Sequence, residues 1–310
     1  MGTFWITGAG GFIGRHTARH VSRAGHAVYG IGHGNWPNLE SSAWGLSGWL
    51  NGDIDASNLD ALRVMGGDPS HVIHLAGGSS VGLSLDNPLE DFSRSVASTA
   101  RLLEWMRTNQ STARLTSASS AAVYGSQQRG QIPPTARTQP FSPYGHHKLM
   151  MEQLCRSYSE AFGIRCSIVR LFSVYGPWLR KQLLWDICSQ LENGAELIEL
   201  GGTGDELRDW IEIRDVVKVM EAASAIDGDS VIVLNGGTGL ATPVKIVADA
   251  VIREWGSHAL VTFSGESRRG DPFSLISTPP LFADRSVSCE IGLDDGIATY
   301  VKWFKKLRAA

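Results

Sequence analysis

Tyr144 and Lys148 stand four residues apart in the run Tyr144-Gly145-His146-His147-Lys148. On a helix that spacing puts both side chains on one face, one turn apart. An ammonium held beneath a phenol favours phenolate, so the phenol can trade a proton with a substrate hydroxyl near neutral pH. The pair alone is common by chance and gains weight from two upstream runs. Gly8-Ala9-Gly10-Gly11-Phe12-Ile13-Gly14 is a glycine-rich turn, and Ser119-Ser120-Ala121-Ala122-Val123-Tyr124-Gly125 is a serine-led one. The glycines let backbone approach a pyrophosphate whose charge rests at a helix N-terminus.

Regular elements must position these residues. Thr3 to Thr7 reads as a buried strand, and Phe12 to Ala24 as a helix closed by Gly25. Ala27 to Ile31, His71 to Leu75, Ala113 to Ser117 and Cys166 to Leu171 read as further strands. Phe92 to Met106 reads as one helix. Ser142 can cap, and Pro143 can open, the helix that carries Tyr144 and Lys148, with Gly163 at its end. Strands alternating with helices predict a parallel sheet covered on both faces. Beyond Tyr175-Gly176-Pro177 the rhythm changes. Helices are expected over Leu183 to Asn193, Val216 to Ala225 and Asp295 to Leu307, and strands over Ala195 to Leu200 and Val231 to Leu234. The division expected is a dinucleotide-binding unit over 1–170, rejoined by 210–236, and a substrate lobe from 171–209 and 237–310, interleaved with it.

The 310 residues suit one compact enzyme or a large lobe with a smaller one. A net charge of −3 without any basic run argues against nucleic acid as a partner. Cys155, Cys166, Cys188 and Cys289 lack metal-like spacing and read as reduced thiols. Phe4-Trp5-Ile6 is too short an apolar run for a signal peptide or a spanning helix. The expectation is a soluble cytoplasmic protein without a metal site or a membrane partner.

Together the motifs resemble the extended short-chain dehydrogenase/reductase family, in its nucleotide-sugar branch, over nearly the whole chain from Gly8 to Trp303. The resemblance implies a Rossmann-type α/β fold, a doubly wound parallel sheet with a smaller C-terminal α/β substrate-binding lobe. It implies a cofactor cradle of Gly8, Gly11, Phe12, Ile13 and Gly14. Gly52-Asp53-Ile54 resembles the adenine contact, and His74-Leu75-Ala76-Gly77 the strand end beside the cofactor. Asp53, Ile54, Leu75 and Ala76 are therefore cofactor candidates, while His74 itself reads as a core histidine. The second strand departs from the pattern, because Gly32 stands where NAD-preferring members carry an acid, and no acid occurs from Arg15 to Leu39. That leans toward NADP(H) over NAD(H), with His33, Asn35 or Arg15 as contacts for a 2′-phosphate.

The same resemblance makes Ser120, Tyr144 and Lys148 the catalytic group. Lys148 would lower the Tyr144 pKa from its ordinary ~10 and hold the nicotinamide ribose with Tyr144. Ala121 and Ala122 stand where dehydratases and decarboxylases of this branch carry an acid, and alanine does no proton chemistry. Hydride transfer at a single carbon remains. The favoured reading is reduction of a nucleotide-linked 4-keto (6-deoxy) sugar. The alternatives are a 4-epimerase with retained NAD and, in another class, a non-enzymatic NAD(P)-binding regulator. His146 and His147 read as surface or interface residues. Arg170-Leu171-Phe172-Ser173-Val174-Tyr175-Gly176-Pro177 resembles the substrate motif, with Ser173 in place of its usual Asn. Arg208 and Arg268 are the implied phosphate contacts, Asp271 a ribose or nucleotide contact, and Asn235-Gly236-Gly237 a structural turn. Related enzymes pair through helices near Phe92 to Met106 and Tyr144 to Ala161, so a homodimer is compatible with the pattern.

Overall fold

A computed structural model of the chain describes residues 1–228, 231–266, 271–279, 287 and 289–309. Seven parallel strands form its main sheet, in the spatial order Ile232–Gly236, Cys166–Leu171, Arg114–Ser120, His71–His74, Thr3–Thr7, Ala27–Gly32, Gly48–Asn51. Side chains alternate across each strand, so each face meets its own layer of helices. Phe4 and Ile6 pack with Ala18, Val21, Val216 and Met220 on one face. Trp5 packs with Leu59, Leu102, Leu103 and Met106 on the other. This is the doubly wound, Rossmann-type α/β architecture. Chain order reverses between Thr3–Thr7 and its neighbour His71–His74, and such a reversal opens a crevice at the carboxyl ends of the strands.

The second part of the chain is interleaved with the first. Trp210–Glu212 pairs with Ser173–Tyr175, and the chain then returns through helix Ile213–Ser224 to edge strand Ile232–Gly236. Helices Gln182–Glu192, Val244–Trp255 and Leu293–Ala309 enclose a separate core around Ile187, Val251, Tyr300 and Phe304. A small four-stranded sheet joins Gln131–Ile132, Ser274–Ser277, Leu207–Arg208 and Thr242–Pro243. Asp209 fastens it. Its fully buried carboxylate accepts from the N–H and hydroxyl groups of both Thr238 and Ser277 and from Gly239 N–H.

Most expected elements are present, with differences that matter for the site. The strand expected over Ala113 to Ser117 runs from Arg114 to Ser120, because its pairing with Cys166–Leu171 continues through Ser120 opposite Leu171. Ser119 and Ser120 therefore end a sheet strand. The single helix expected over Phe92 to Met106 is three pieces: an α-turn Pro88–Phe92, a π-turn Ser93–Ala97 and an α-helix Ser98–Thr108. A π-turn holds one extra residue per turn, and here it carries Ser95, whose hydroxyl accepts from Gly78 N–H at 2.8 Å. The helix expected from Val216 begins at Ile213, capped by the Glu212 carboxylate, a less common capping residue than Ser, Thr, Asp or Asn. Among the described residues no helix is long and apolar enough to cross a membrane, and no cluster of His, Cys, Asp or Glu is placed to hold a metal.

Candidate active site

The carboxyl ends of the sheet strands open into a cleft of about 1520 Å³. Its first wall is the glycine turn. Gly8 sits at φ +69, where a Cβ would stand 2.9 Å from the Ala76 nitrogen, so the turn packs directly on the next strand end. A Cβ at Gly14 would collide with the Gly8 carbonyl, so only glycine lets the helix press against the turn. Helix Phe12–Arg23 begins with no side-chain cap and no acid in its first turn. Its leading N–H groups are therefore left for an anion, and Phe12, Ile13 and Gly14 line the cleft. These features fit a dinucleotide pyrophosphate.

At the far end of this wall lie Gly32, His33, Asp53 and Ile54. His33 Nε2 and an Asp53 carboxylate oxygen are 2.8 Å apart, both side chains about two-thirds exposed (66% and 67%). Arg15, expected as a contact for a 2′-phosphate, is committed elsewhere. Its guanidinium lies 5.3, 5.3 and 4.6 Å from the ring centres of Trp36, Trp44 and Trp178. It also donates to the Gly10 carbonyl at 2.8 Å and faces Glu40 at 4.0 Å. The linear sequence gives no sign that three distant tryptophans enclose this arginine.

The second wall holds Ser120, Tyr144 and Lys148. Helix Pro143–Phe162 starts as its sequence prescribes, with the Ser142 hydroxyl accepting from Gly145 N–H, Pro143 in the first turn, and Gly163 closing it at φ 71. Tyr144, one turn before Lys148, reaches the cleft beside Ser120, and its backbone N–H donates to the Ser84 hydroxyl at 3.0 Å. Burial raises the Tyr144 phenol above its ordinary value, while a hydrogen bond with Ser120 pulls it down and Asp91 pushes it up. Within the polypeptide itself, burial outweighs any downward pull on this phenol. The Lys148 ammonium lies 5.8 Å from the ring centre and donates to the Ala118 carbonyl at 3.0 Å. Burial pulls Lys148 itself down to about 8, against the upward pull of Asp91 and Glu152. The polypeptide thus holds a neutral phenol next to an ammonium whose charge is lost on mild alkalinisation.

His74 is the core histidine expected. It is bonded to the Thr7 and Thr99 hydroxyls at 2.7 and 2.9 Å, and burial with the nearby Lys148 pulls its pKa down to about 3. His146 is exposed as expected. His147 is not a surface residue. It turns inward, with Nδ1 2.6 Å from an Asp91 oxygen and its ring edge-on to Phe92.

Ser173, Arg208 and Asp271 also line the cleft, on the wall formed by the smaller sheet and its neighbours. Burial lowers the Arg208 pKa while Asp271 and Glu206 raise it. Arg268 lies outside the described residues. Sequence reading missed Lys181 and Asp186, which face the same cleft. The Lys181 ammonium reaches across to the Ser79 carbonyl at 3.1 Å, and burial lowers its pKa. Two successive cations after Tyr175-Gly176-Pro177 were the available signal for Lys181. Asp186 carried none.

Known proteins resemble this chain along most of its length. Residues 4–233 match the model of the NAD dependent epimerase/dehydratase family. A UDP-glucuronate 4-epimerase of Thermodesulfobacterium geofontis is 30% identical, across 99% of this chain and 97% of its own length. A putative UDP-glucose 4-epimerase of Methanocaldococcus jannaschii is 28% identical across 97% of each chain. Among solved structures, MoeE5 in complex with UDP-glucuronic acid and NAD matches at 28% identity and a TM-score of 0.85, covering 99% of this chain and 100% of that one. The chain belongs to the NAD dependent epimerase/dehydratase family, in the nucleotide-sugar branch of the extended short-chain dehydrogenases/reductases.

Proposed function

We propose that this protein is a nucleotide-sugar 4-epimerase that keeps NAD through its cycle. The observation that carries the reading is the placing of Ser120, Tyr144 and Lys148 together in the cleft, with Ala121 and Ala122 beside Ser120 offering no acid for chemistry at a second carbon. Relatives named as 4-epimerases of UDP-glucose and UDP-glucuronate support it over the reductase favoured from sequence. The reductase reading leaned on NADP(H), which needs a cation free for the 2′-phosphate. Arg15 is held by three indoles, and His33 is paired with a carboxylate. NAD is therefore the preferred cofactor.

When bound, NAD would supply the hydride acceptor for the sugar carbon and then the hydride donor to the opposite face of the ketone, which is what inverts that centre. Tyr144 would accept the proton of the attached hydroxyl and give it back to the ketone oxygen, while Ser120 donates a hydrogen bond to that oxygen. Lys148 would keep a positive charge beside the phenol and hold the nicotinamide ribose. Dinucleotide contacts would come from Gly8, Gly11, Phe12, Ile13, Gly14, His33, Asp53, Ile54, Leu75 and Ala76, on 1–170 with 210–236. Ser173, Arg208 and Arg268 would hold the diphosphate of the nucleotide sugar and Asp271 its ribose or nucleotide, on 171–209 and 237–310. A guanidinium matches phosphate oxygens through its planar fork of donors.

Two measurements test this. Denaturing the purified protein is expected to release NAD in near-stoichiometric amount. Incubation with UDP-glucose or UDP-glucuronic acid is expected to yield the 4-epimer with no net change at 340 nm. Net consumption of NADPH with a 4-keto sugar, and no epimer from either substrate, would restore the reductase. We also expect a homodimer. Exposed Leu83, Leu85 and Leu89 lie next to the catalytic helix, which itself exposes Met150, and sedimentation at monomer mass would remove that expectation.

A further inference from the structure

The turn after His74-Leu75-Ala76 carries two glycines, Gly77 and Gly78, and the structure gives each a reason. Gly77 sits at φ +149, and a Cβ there would lie 3.1 Å from the Lys148 ammonium and 3.3 Å from the Ser95 hydroxyl. A Cβ at Gly78 would overlap an Asp91 carboxylate oxygen. The paired glycines admit one cation and one carboxylate close beneath the cofactor-side turn. Asp91 is only 6% exposed, and His147, the residue before Lys148 on the catalytic helix, grips its carboxylate at 2.6 Å. Gly77-Gly78, Asp91 and His147 lie far apart in sequence and form one unit behind the reacting pair.

We propose that Asp91, oriented by His147, is a positioning residue that keeps the Lys148 ammonium charged and in place beneath Tyr144. The inference rests on Tyr144 and Lys148 being the reacting pair.

The charged and polar groups around Lys148 distinguish Asp91 from the rest. Glu152 and Tyr144 share its helix, His74 comes from strand His71–His74, Ser95 from the π-turn, and the Ala118 carbonyl from the central strand. The Glu152 carboxylate also raises Lys148, less than Asp91 does, but its hydrogen bonds go to Arg170 at 2.9 and 2.7 Å and to Ser119 at 2.6 Å. His74 is kept neutral by its burial. Asp91 has an imidazole partner, His147, from the helix of Lys148, and its field falls on the ammonium, where it opposes the effect of burial, and on the Tyr144 phenol, which it pushes up. A buried charge is retained at a cost, so a buried carboxylate in this place implies a charge it must serve.

The test follows the Lys148 titration directly. Protein labelled with ¹³Cε-lysine is titrated by NMR as purified, with Lys148→Arg identifying the signal. Asp91→Asn is expected to move the Lys148 midpoint down by about one pH unit. Gly78→Ala, which drives the carboxylate aside, is expected to move it the same way, so the reading survives a failure of either variant to fold. His147→Gln, which can still donate to Asp91, is expected to leave it near the native midpoint. In turnover with UDP-glucuronic acid or UDP-glucose, the alkaline limb of the rate profile should shift with the midpoint, whereas a merely structural loss would lower the rate at every pH. An unmoved midpoint in folded Asp91→Asn overturns the proposal, whatever the protein does to sugars. A moved midpoint without epimer formation sustains it and counts against the 4-epimerase reading alone.

Discussion

Tyr144→Phe will lower turnover by about 10²–10⁴-fold, the range for losing a positioned acid–base group. The substitution removes one oxygen from a helix whose start is fixed by Ser142 and Pro143, so the fold and the NAD content should stay as they are. The phenol touches the cleft beside Ser120 and can give up a proton there. Ser120 can donate to the reacting oxygen but is too weak an acid to replace it, and the Lys148 ammonium points at the Ala118 carbonyl. Steady-state kinetics with retained nucleotide measured in the same preparation check the outcome. Full activity in a Tyr144→Phe protein that still carries NAD would remove the enzyme mechanism given above. An unchanged biological role despite lost turnover would favour the regulator.

Arg170→Met will destabilise the protein by about 3–5 kcal/mol, the cost of leaving one member of a buried ion pair unpaired. Arg170 and Glu152 have side chains 4% and 1% exposed, and two donor groups of the guanidinium meet the two carboxylate oxygens. The guanidinium also reaches the Tyr124 hydroxyl at 3.0 Å and the Pro134 carbonyl at 2.9 Å. Tyr124 in turn donates to Asn235 at 2.6 Å, and Asn235 donates to the Ile132 carbonyl. The arginine thereby ties the central strands to the edge strand and to the Ser119–Ser120 strand end. A burial effect alone would lower its pKa, yet the carboxylate at hand keeps it raised, so the guanidinium is charged throughout the ordinary pH range. Thermal melts should show a midpoint lower by roughly 5–8 °C. The double variant Arg170→Met, Glu152→Met should recover much of the loss, because an apolar pair avoids the orphaned charge. A single variant as stable as the native chain would deny the network its structural role.

The resemblance assigned Arg170 only a place in a substrate motif, and the sequence offered no hint of Glu152. That contrast is general here. The glycine turn, the capped catalytic helix, the Tyr144–Lys148 spacing and the strand–helix rhythm were legible because each depends on residues close in the chain, through backbone conformation, capping and helical periodicity. The parallel sheet followed from that rhythm, and with it the crevice at the strand ends. Groups that meet through long-range packing were not legible. Arg15 looked free for a phosphate until Trp36, Trp44 and Trp178 closed around it from three segments. His147 reads from sequence as a surface or interface residue, yet its Nδ1 lies 2.6 Å from the buried Asp91 carboxylate of Pro88–Phe92. By itself the sequence determined the fold class and which side chains could do chemistry, since both rest on local pattern. Only the tertiary structure decided which charges are buried, paired or left facing the cleft, because burial and pairing depend on distances between segments that linear spacing does not set.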